Sequence, residues 1–145
     1  MGRILVVDDD ASMRFLVGHV LSHAGYEVDQ AENGAQAWRA LQLKYYDLVI
    51  TDQDMPELTG LQLVHRIRMA GFELPVILAS GRATSDLLTD DWLGRTATIL
   101  PKPFTLDELT RTVGGLLPDT APGSNTHSWQ VPPNQVSQQK KCANR

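Results

Sequence analysis

The chain has 145 residues, of which 42% are hydrophobic, and its formal net charge is -4 at pH 7. It is long enough for one domain with a sizeable core, and its acidic balance argues against nucleic acid as a direct partner. No apolar run approaches the ~20 residues of a membrane helix, and no signal-peptide core follows Met1. The single cysteine, Cys142, excludes an internal disulfide framework. We therefore expect a cytoplasmic protein without a membrane partner.

The first elements alternate between strand and helix. Residues 4–7 form a continuous apolar run of strand length that ends in the acids Asp8, Asp9 and Asp10, which predicts a buried strand with carboxylates at its carboxyl end. A helix follows, ended by Gly25. Its predicted core face consists of Met13, Leu16, Val17, Val20, Leu21 and Ala24. Residues 27–31 then alternate as a weaker strand, and Ala35, Trp38 and Leu41 mark a second amphipathic helix.

A short third strand comes next and is predicted to be buried on both faces. It covers residues 48–50, so Asp52 lies at its carboxyl end, and the loop that follows contains Pro56 and Gly60. The next helix is predicted to end before Gly71. Its core face is Leu61, Val64 and Ile67.

The last third of the folded region contains two more predicted strands. Pro75 introduces the strand of residues 76–79, and a weak helix is predicted from Asp86 to Trp92. The fifth strand is Ile99-Leu100. Pro101 places this strand at a sheet edge, because proline has no backbone donor. A capping box over residues 105–108 opens the last helix. Its predicted core face is Leu106, Leu109, Val113 and Leu116.

Five strands alternating with five helices predict an α/β fold with a doubly wound parallel sheet. We adopt the flavodoxin-like strand order 2-1-3-4-5 by analogy; it brings Asp8, Asp9 and Asp52 together where the winding reverses. We assign residues 1–117 to this single domain. Residues 118–145 are rich in Pro, Gly, Ser, Asn and Gln, and we expect a disordered polar tail because they offer too little apolar area to bury.

The predicted acid cluster requires a counter-charge or a raised pKa. Two carboxylates about 4 Å apart repel by about 4 kcal/mol at an effective dielectric of 20. Mg²⁺ prefers carboxylate oxygens and phosphate, and it would also offset the charge that develops if Asp52 attacks a phosphoryl group. Ser80 and Lys102 each follow a strand at its carboxyl end, so both can reach the same crevice.

The chain resembles the receiver domains of two-component response regulators. The matching motifs occur in family order over residues 3–117. They are Val7-Asp8-Asp9, Asp52 with Met55-Pro56 and Gly60, Ser80-Gly81, and Lys102-Pro103-Phe104. One such motif alone is a weak indication, but the whole set in register on the right strands is highly specific.

The resemblance implies a role for each site residue. Asp52 corresponds to the phosphoacceptor, Asp9 to a direct Mg²⁺ ligand, and Asp8 to an acid that acts on the metal mainly through water. The backbone carbonyl of Asp54 completes the protein's share of the metal site. The resemblance also implies that Ser80 hydrogen-bonds the phosphoryl group, that Lys102 corresponds to the family lysine, and that the Lys102-Pro103 bond is cis.

By the same resemblance, the protein is a signalling receiver that catalyses its own phosphorylation and dephosphorylation, not an enzyme with a separate substrate. The implied partners are a histidine kinase or histidine phosphotransfer protein and a downstream protein that the sequence does not identify, with a phosphorylation-dependent dimer as a further option. Asp54 and Arg82 occupy positions that tune self-dephosphorylation in the family. Ile99 is a departure, because the family usually has Tyr or Phe there.

Two alternatives remain at the level of sequence. Asp52-Gln53-Asp54 also fits the Asp-x-Asp of haloacid-dehalogenase-like phosphohydrolases, although those enzymes carry it after their first strand and continue with a different pattern. The chain could also be a receiver fragment of a hybrid kinase or of a DNA-binding transcriptional regulator.

Overall fold

The structure is a computed structural model that describes residues 2–81 and 97–117. The predicted helix from Asp86 to Trp92, Arg82 and the predicted tail 118–145 lie outside the described residues. The described elements, in chain order, are β1 Arg3–Val7, α1 Ala11–His23, β2 Glu27–Ala31, α2 Gly34–Leu43, β3 Leu48–Asp52, α3 Gly60–Met69, β4 Val76–Ser80, β5 Thr98–Pro101 and α4 Leu106–Leu116.

All five strands are parallel and lie in the order β2-β1-β3-β4-β5. The predicted strand order is therefore confirmed. Val7 of β1 pairs with Thr51 of β3, so the acids that follow β1 lie beside Asp52 at the same edge of the sheet. On the other side of β3, Asp52 pairs with Ala79, and Ser80 pairs with Pro101 of β5.

The helices cover both faces of the sheet and enclose two separate cores. In β1, Leu5 and Val7 face a core that includes Leu41 of α2 and Ile67 of α3. Ile4 and Val6 face the opposite core, to which α1 and α4 contribute. A central strand must therefore be apolar on both faces, which explains the continuous apolar run that predicted β1.

The buried face of α1 differs from the predicted one. Val17 and Leu21 are buried as expected, but Leu16 and Ala24 are exposed and Gly18 is buried instead. A Cβ atom on Gly18 would lie 3.1 Å from the side-chain nitrogen of Gln30 on β2. The helix thus approaches the sheet through a residue with no side chain, which a hydrophobic pattern cannot detect.

Smaller differences of the same kind occur on the other helices. Ala35 is exposed and Ala37 is buried in its place on α2, while Leu63 joins the core face of α3. Leu106 is exposed because it begins α4, before that helix meets the sheet.

Several local predictions are confirmed. The capping box at Thr105 is present, Pro101 lies on the edge strand β5, and the Lys102-Pro103 bond is cis. None of the helices within residues 2–81 and 97–117 is both long and apolar enough to cross a membrane.

Candidate functional site

Three carboxylates converge at the carboxyl edge of the sheet. Asp8 and Asp9 follow β1, Asp52 ends β3, and one oxygen atom of each lies within 4.8 Å of those of the other two. Asp8 and Asp52 are buried, whereas Asp9 is exposed. The sequence predicted this convergence from the strand order, and the cluster opens to solvent on the side of Asp9.

The backbone around Asp8 fixes the direction of its side chain. Its amide donates a hydrogen bond to the carbonyl oxygen of Ala31 on β2 at 3.1 Å, and its carboxylate accepts one from the amide of Asp10 at 2.9 Å. Asp10 in turn caps α1, accepting from the amides of Ser12 and Met13. The turn into α1 therefore holds the buried carboxylate in place.

Arg14 is a cation beside the cluster that the sequence analysis did not single out. Its Nη1 atom donates to the backbone carbonyl of Asp8 at 2.7 Å, and its Nη2 atom lies 3.8 Å from the carboxylate of Glu32. The signal in the sequence was its position one helical turn after the Asp10 cap. Its hydrogen bond holds the backbone of Asp8, while the three carboxylates of the cluster repel one another.

That repulsion affects the pKa of Asp8. Burial raises this pKa above its usual value of 3.8, and the charges of Asp52 and Asp9 raise it further, against the opposing hydrogen bond from Asp10 and the charge of Lys102. The cluster is therefore short of positive charge. Buried carboxylate oxygens a few ångströms apart are a donor set that suits a hard divalent cation such as Mg²⁺.

Lys102 provides the counter-charge within the described residues of the cluster. Its Nζ atom lies 2.5 Å from Oδ1 of Asp52, and its amide donates to the carbonyl of Ser80 at 2.7 Å. Burial alone would lower the pKa of Lys102, but the hydrogen bond and charge of Asp52, then the charges of Asp8 and Asp54, outweigh it and raise the pKa. Lys102 is therefore a stable ammonium aimed at Asp52.

The other two predicted site residues lie at the same edge. Ser80 is buried at the end of β4, and its carbonyl is the atom that holds the backbone of Lys102. Asp54 is exposed in the loop after β3, close enough for its charge to act on Lys102. The predicted role of the Asp54 carbonyl as a metal ligand stays a prediction.

Gln53 organises the loop between β3 and α3. Its amide donates to the carbonyl of Ala79, its carbonyl accepts from the amide of Gly60, and its side-chain oxygen accepts from the amide of Leu61 at 2.7 Å. The side chain is buried although it is polar. Sequence reasoning missed this role, because a glutamine between two aspartates carries no hydrophobic signal.

Gly60 allows the loop to return close to the phosphoacceptor candidate. A Cβ atom on Gly60 would lie 2.3 Å from the carbonyl oxygen of Asp52 and 2.5 Å from a methyl group of Leu78. Real Cβ atoms do not approach backbone that closely. Only glycine therefore fits where α3 begins beneath Asp52.

Ile99 occupies the position that is aromatic in most of the resembling family. It lies on β5, pairs with Leu78, is half-buried and packs against the core under α2 and α3. An aliphatic side chain here fills space beside the sheet, and it has neither a ring nor a hydroxyl with which to exchange partners.

Comparison with known proteins agrees with this geometry. The family model for the response regulator receiver domain matches residues 4–114. The response regulator receiver protein CpdR of Brucella abortus is 36% identical over 117 residues, covering 81% of this chain and 98% of CpdR. The response regulator MprA of a Mycobacterium species is 35% identical over 133 residues, covering 87% of this chain and 55% of MprA, so the chain spans about half the length of MprA.

A solved structure gives the same result. The response regulator protein TrrA of Thermotoga maritima, in complex with Mg(2+)-BeF, superposes with a TM-score of 0.71 at 39% identity, covering 81% of this chain and 100% of that one. The strand order, the acids at the carboxyl edge and the family model over residues 4–114 lead to the same family. The chain belongs to the response regulator receiver domains of two-component signalling systems.

Proposed function

We propose that Asp52 is the residue through which this receiver accepts a phosphoryl group. The observation that carries the proposal is the contact of 2.5 Å between Lys102 Nζ and Asp52 Oδ1, made at the edge where Asp8 and Asp9 also converge. This buried carboxylate contacts one cation and lies beside two further acids. It can react with an electrophilic phosphoryl group when a second cation is bound beside it.

The donor set supports Mg²⁺ as that partner. In this proposal Asp9 would hold the ion directly, Asp8 would act on it mainly through water, and Asp52 and the backbone carbonyl of Asp54 would complete the site. Asp9 is exposed and therefore accessible to a hydrated ion, whereas Asp8 is buried with a raised pKa that a cation would relieve. When bound, Mg²⁺ supplies positive charge for the phosphoryl oxygens in the transition state.

The chain contributes three side chains of this edge to the transfer. A carboxylate oxygen of Asp52 attacks phosphorus, the bond between phosphorus and the donor's histidine nitrogen breaks, and its electron pair stays with that nitrogen, which takes up a proton. Lys102 moves from the carboxylate to a phosphoryl oxygen, and the hydroxyl of Ser80 donates to another. Hydrolysis restores the free carboxylate: water attacks phosphorus, the bond between phosphorus and the Asp52 oxygen breaks, and inorganic phosphate leaves.

The family implies histidine kinases as partners in general, and we propose a kinase or a histidine phosphotransfer protein as the donor to this chain. A downstream protein reads the change, with or without a phosphorylation-dependent dimer, and the protein acts in the cytoplasm. We further propose residues 1–117 as the receiver domain and residues 118–145 as a polar tail. The match covers 55% of MprA, which agrees with the alternative of a receiver within a larger protein. CpdR, by contrast, is matched over nearly its whole length.

The phosphohydrolase alternative is not favoured. The Asp52-Gln53-Asp54 segment follows the third strand of the chain, and its carboxylate partners come from β1. The side chain of Gln53, between the two acids, accepts a hydrogen bond from the amide of Leu61. Family membership and strand order both agree with a receiver.

Labelling by a small phosphoryl donor tests the proposal. We expect acetyl phosphate with Mg²⁺ to add one phosphoryl group to the chain, as seen by intact mass, and we expect excess chelator to prevent it. Asp52→Asn should not be labelled, whereas Asp107→Asn, which removes an exposed carboxylate on α4, should be labelled normally. A chain that ends at Leu117 should be labelled as well as the full chain. Equal labelling of Asp52→Asn would overturn the assignment.

A further inference from the structure

A groove runs between α2 and α3, on the opposite face of the sheet from α1 and α4. It has a volume of about 730 Å³, which is the size of a pocket that takes several side chains or a small ligand. The residues that line it include Trp38, Leu58, Leu61, Gln62, Arg66 and Met69.

The groove combines an apolar lining with an exposed apolar rim. Trp38 packs edge-on against Phe72, with ring centroids 6.0 Å apart, so it is fixed from below. Met69 lies at the rim and is 73% exposed, although it is a large apolar side chain. Met is unbranched and polarisable, and such side chains adapt to varied apolar partners.

The charge on these two helices is of one sign. Neither α2 nor α3 contains an aspartate or a glutamate, although the chain as a whole has a net charge of -4. Among their cations, Arg66 lines the groove and Arg39 is exposed on α2. The acids nearest in sequence lie outside the two helices: Glu32 precedes α2, and Glu57 and Glu73 belong to the loops at either end of α3. The groove is therefore largely apolar inside, and its lining carries the cation Arg66 and no acid.

The groove does not suit nucleic acid, because Arg66 lies over the ring of Trp38 at 5.9 Å and covers the face on which a base would stack. The chain's own residues 118–145 also match poorly, because they contain three cations (Lys140, Lys141 and Arg145) against one acid, Asp119. A bilayer surface would not fill a concavity. A partner helix would, because its apolar residues project at helical spacing into a groove while its flanking residues reach the walls.

We propose that the groove between α2 and α3 is a docking site for an acidic amphipathic helix of a partner protein. Apolar residues of that helix pack against Leu61 and Met69, and its carboxylates pair with Arg66. None of the residues that line the groove is a member of the acid cluster, so the inference does not depend on the role of Asp52.

A selection from random peptides tests the proposal without knowledge of the partner. Phage-displayed peptides of about 16 residues, roughly four helical turns, would be selected on the immobilised full chain. We expect enrichment of sequences with apolar residues at helical spacing flanked by Asp and Glu. Synthetic copies should bind with an affinity that Met69→Glu lowers at least about tenfold, a loss of about 1.4 kcal/mol.

Matched variants separate the groove from surface effects in general. Leu43→Glu is the control for Met69→Glu, because Leu43 is 74% exposed but does not line the groove. Arg111→Glu, on the exposed surface of α4, is the control for Arg66→Glu. Both controls should bind the peptides normally. A peptide with Lys in place of Glu should bind Arg66→Glu better than it binds the wild-type chain.

Several outcomes would overturn the proposal. They are enrichment of basic or unpatterned peptides, equal binding to Met69→Glu and Leu43→Glu, and an effect of Met69→Glu that appears only in self-association or only on phosphatidylserine vesicles. Circular dichroism and Mg²⁺-dependent labelling of each variant show whether it is folded. Loss of labelling in Asp52→Asn with intact peptide binding would confirm that the two sites are distinguishable.

Discussion

Replacement of Asp8 by asparagine should stabilise the protein in the absence of metal. The pKa of Asp8 is raised above 3.8, so the folded state holds the proton more tightly than the unfolded state does. Stability is therefore lost as the pH rises from 3.8 through the raised pKa, and at neutral pH the ionised carboxylate is a cost. Asparagine keeps an oxygen to accept the hydrogen bond from the amide of Asp10.

The expected size follows from the geometry. At the 4.8 Å separation that bounds the three oxygens, two unit charges repel by about 3.5 kcal/mol at an effective dielectric of about 20. Burial of the ionised carboxylate adds to this cost, whereas the attraction of Asp8 to Lys102 opposes it and solvent beside Asp9 screens the repulsion. We therefore expect a net gain of about 1 to 2 kcal/mol, which raises Tm by about 5 °C per kcal/mol.

Urea unfolding with a chelator at several pH values measures this gain. It should be largest at neutral pH and should vanish below pH 3.8, the usual pKa. Added Mg²⁺ should stabilise the wild-type chain more than Asp8→Asn, because the variant has lost an acid of the metal site. Asp107→Asn is the control, and it should lower the free energy of unfolding because it removes a carboxylate from the first turn of α4. A metal-free Asp8→Asn that is less stable than wild type would refute the reasoning.

Two further predictions concern the support of the site and the exit of the signal. Gly60→Ala should lower the free energy of unfolding by more than about 2 kcal/mol, because the new Cβ would lie 2.3 Å from the Asp52 carbonyl. Gly114→Ala, with nothing within 4 Å of its Cβ, should instead stabilise α4, and urea unfolding compares the two. Beryllofluoride with Mg²⁺ should change the amide hydrogen exchange of β5. Ser80→Ala should abolish most of this change, whereas Ile99→Val should preserve it. The reverse result would show that the signal passes through residue 99.

The sheet was predictable because its inner strands are apolar on both faces. The runs at residues 4–7 and 76–79 have few other interpretations, and each is followed by a polar residue at the carboxyl edge. The strand order was supplied by analogy, since no local pattern states which strands are neighbours. Helix faces were less accurate: Gly18 has no side chain for a hydrophobic pattern to count, yet it is where α1 meets β2.

The site was predictable where chemistry and position coincide. Asp52 and Lys102 are charged residues at strand ends, and the structure brings them into contact. Gln53 and Arg14 were missed because their roles depend on main-chain groups, the amide of Leu61 and the carbonyl of Asp8. A sequence records side chains directly, but it gives no direct record of which backbone atoms remain to be paired.

The first residue of α2 shares its space with the loop after β3. A Cβ atom on Gly34 would lie 2.3 Å from a methyl group of Leu58, so one small volume serves two positions and the chain gives it to residue 58. A larger residue at 34 fits only beside a shorter one at 58, and shortening 58 alone removes apolar contacts with the core under α2 and α3. We therefore expect the side-chain sizes at positions 34 and 58 to change together. A mutational scan that changes single positions would record both as intolerant and would miss the paired exchanges that conserve the volume.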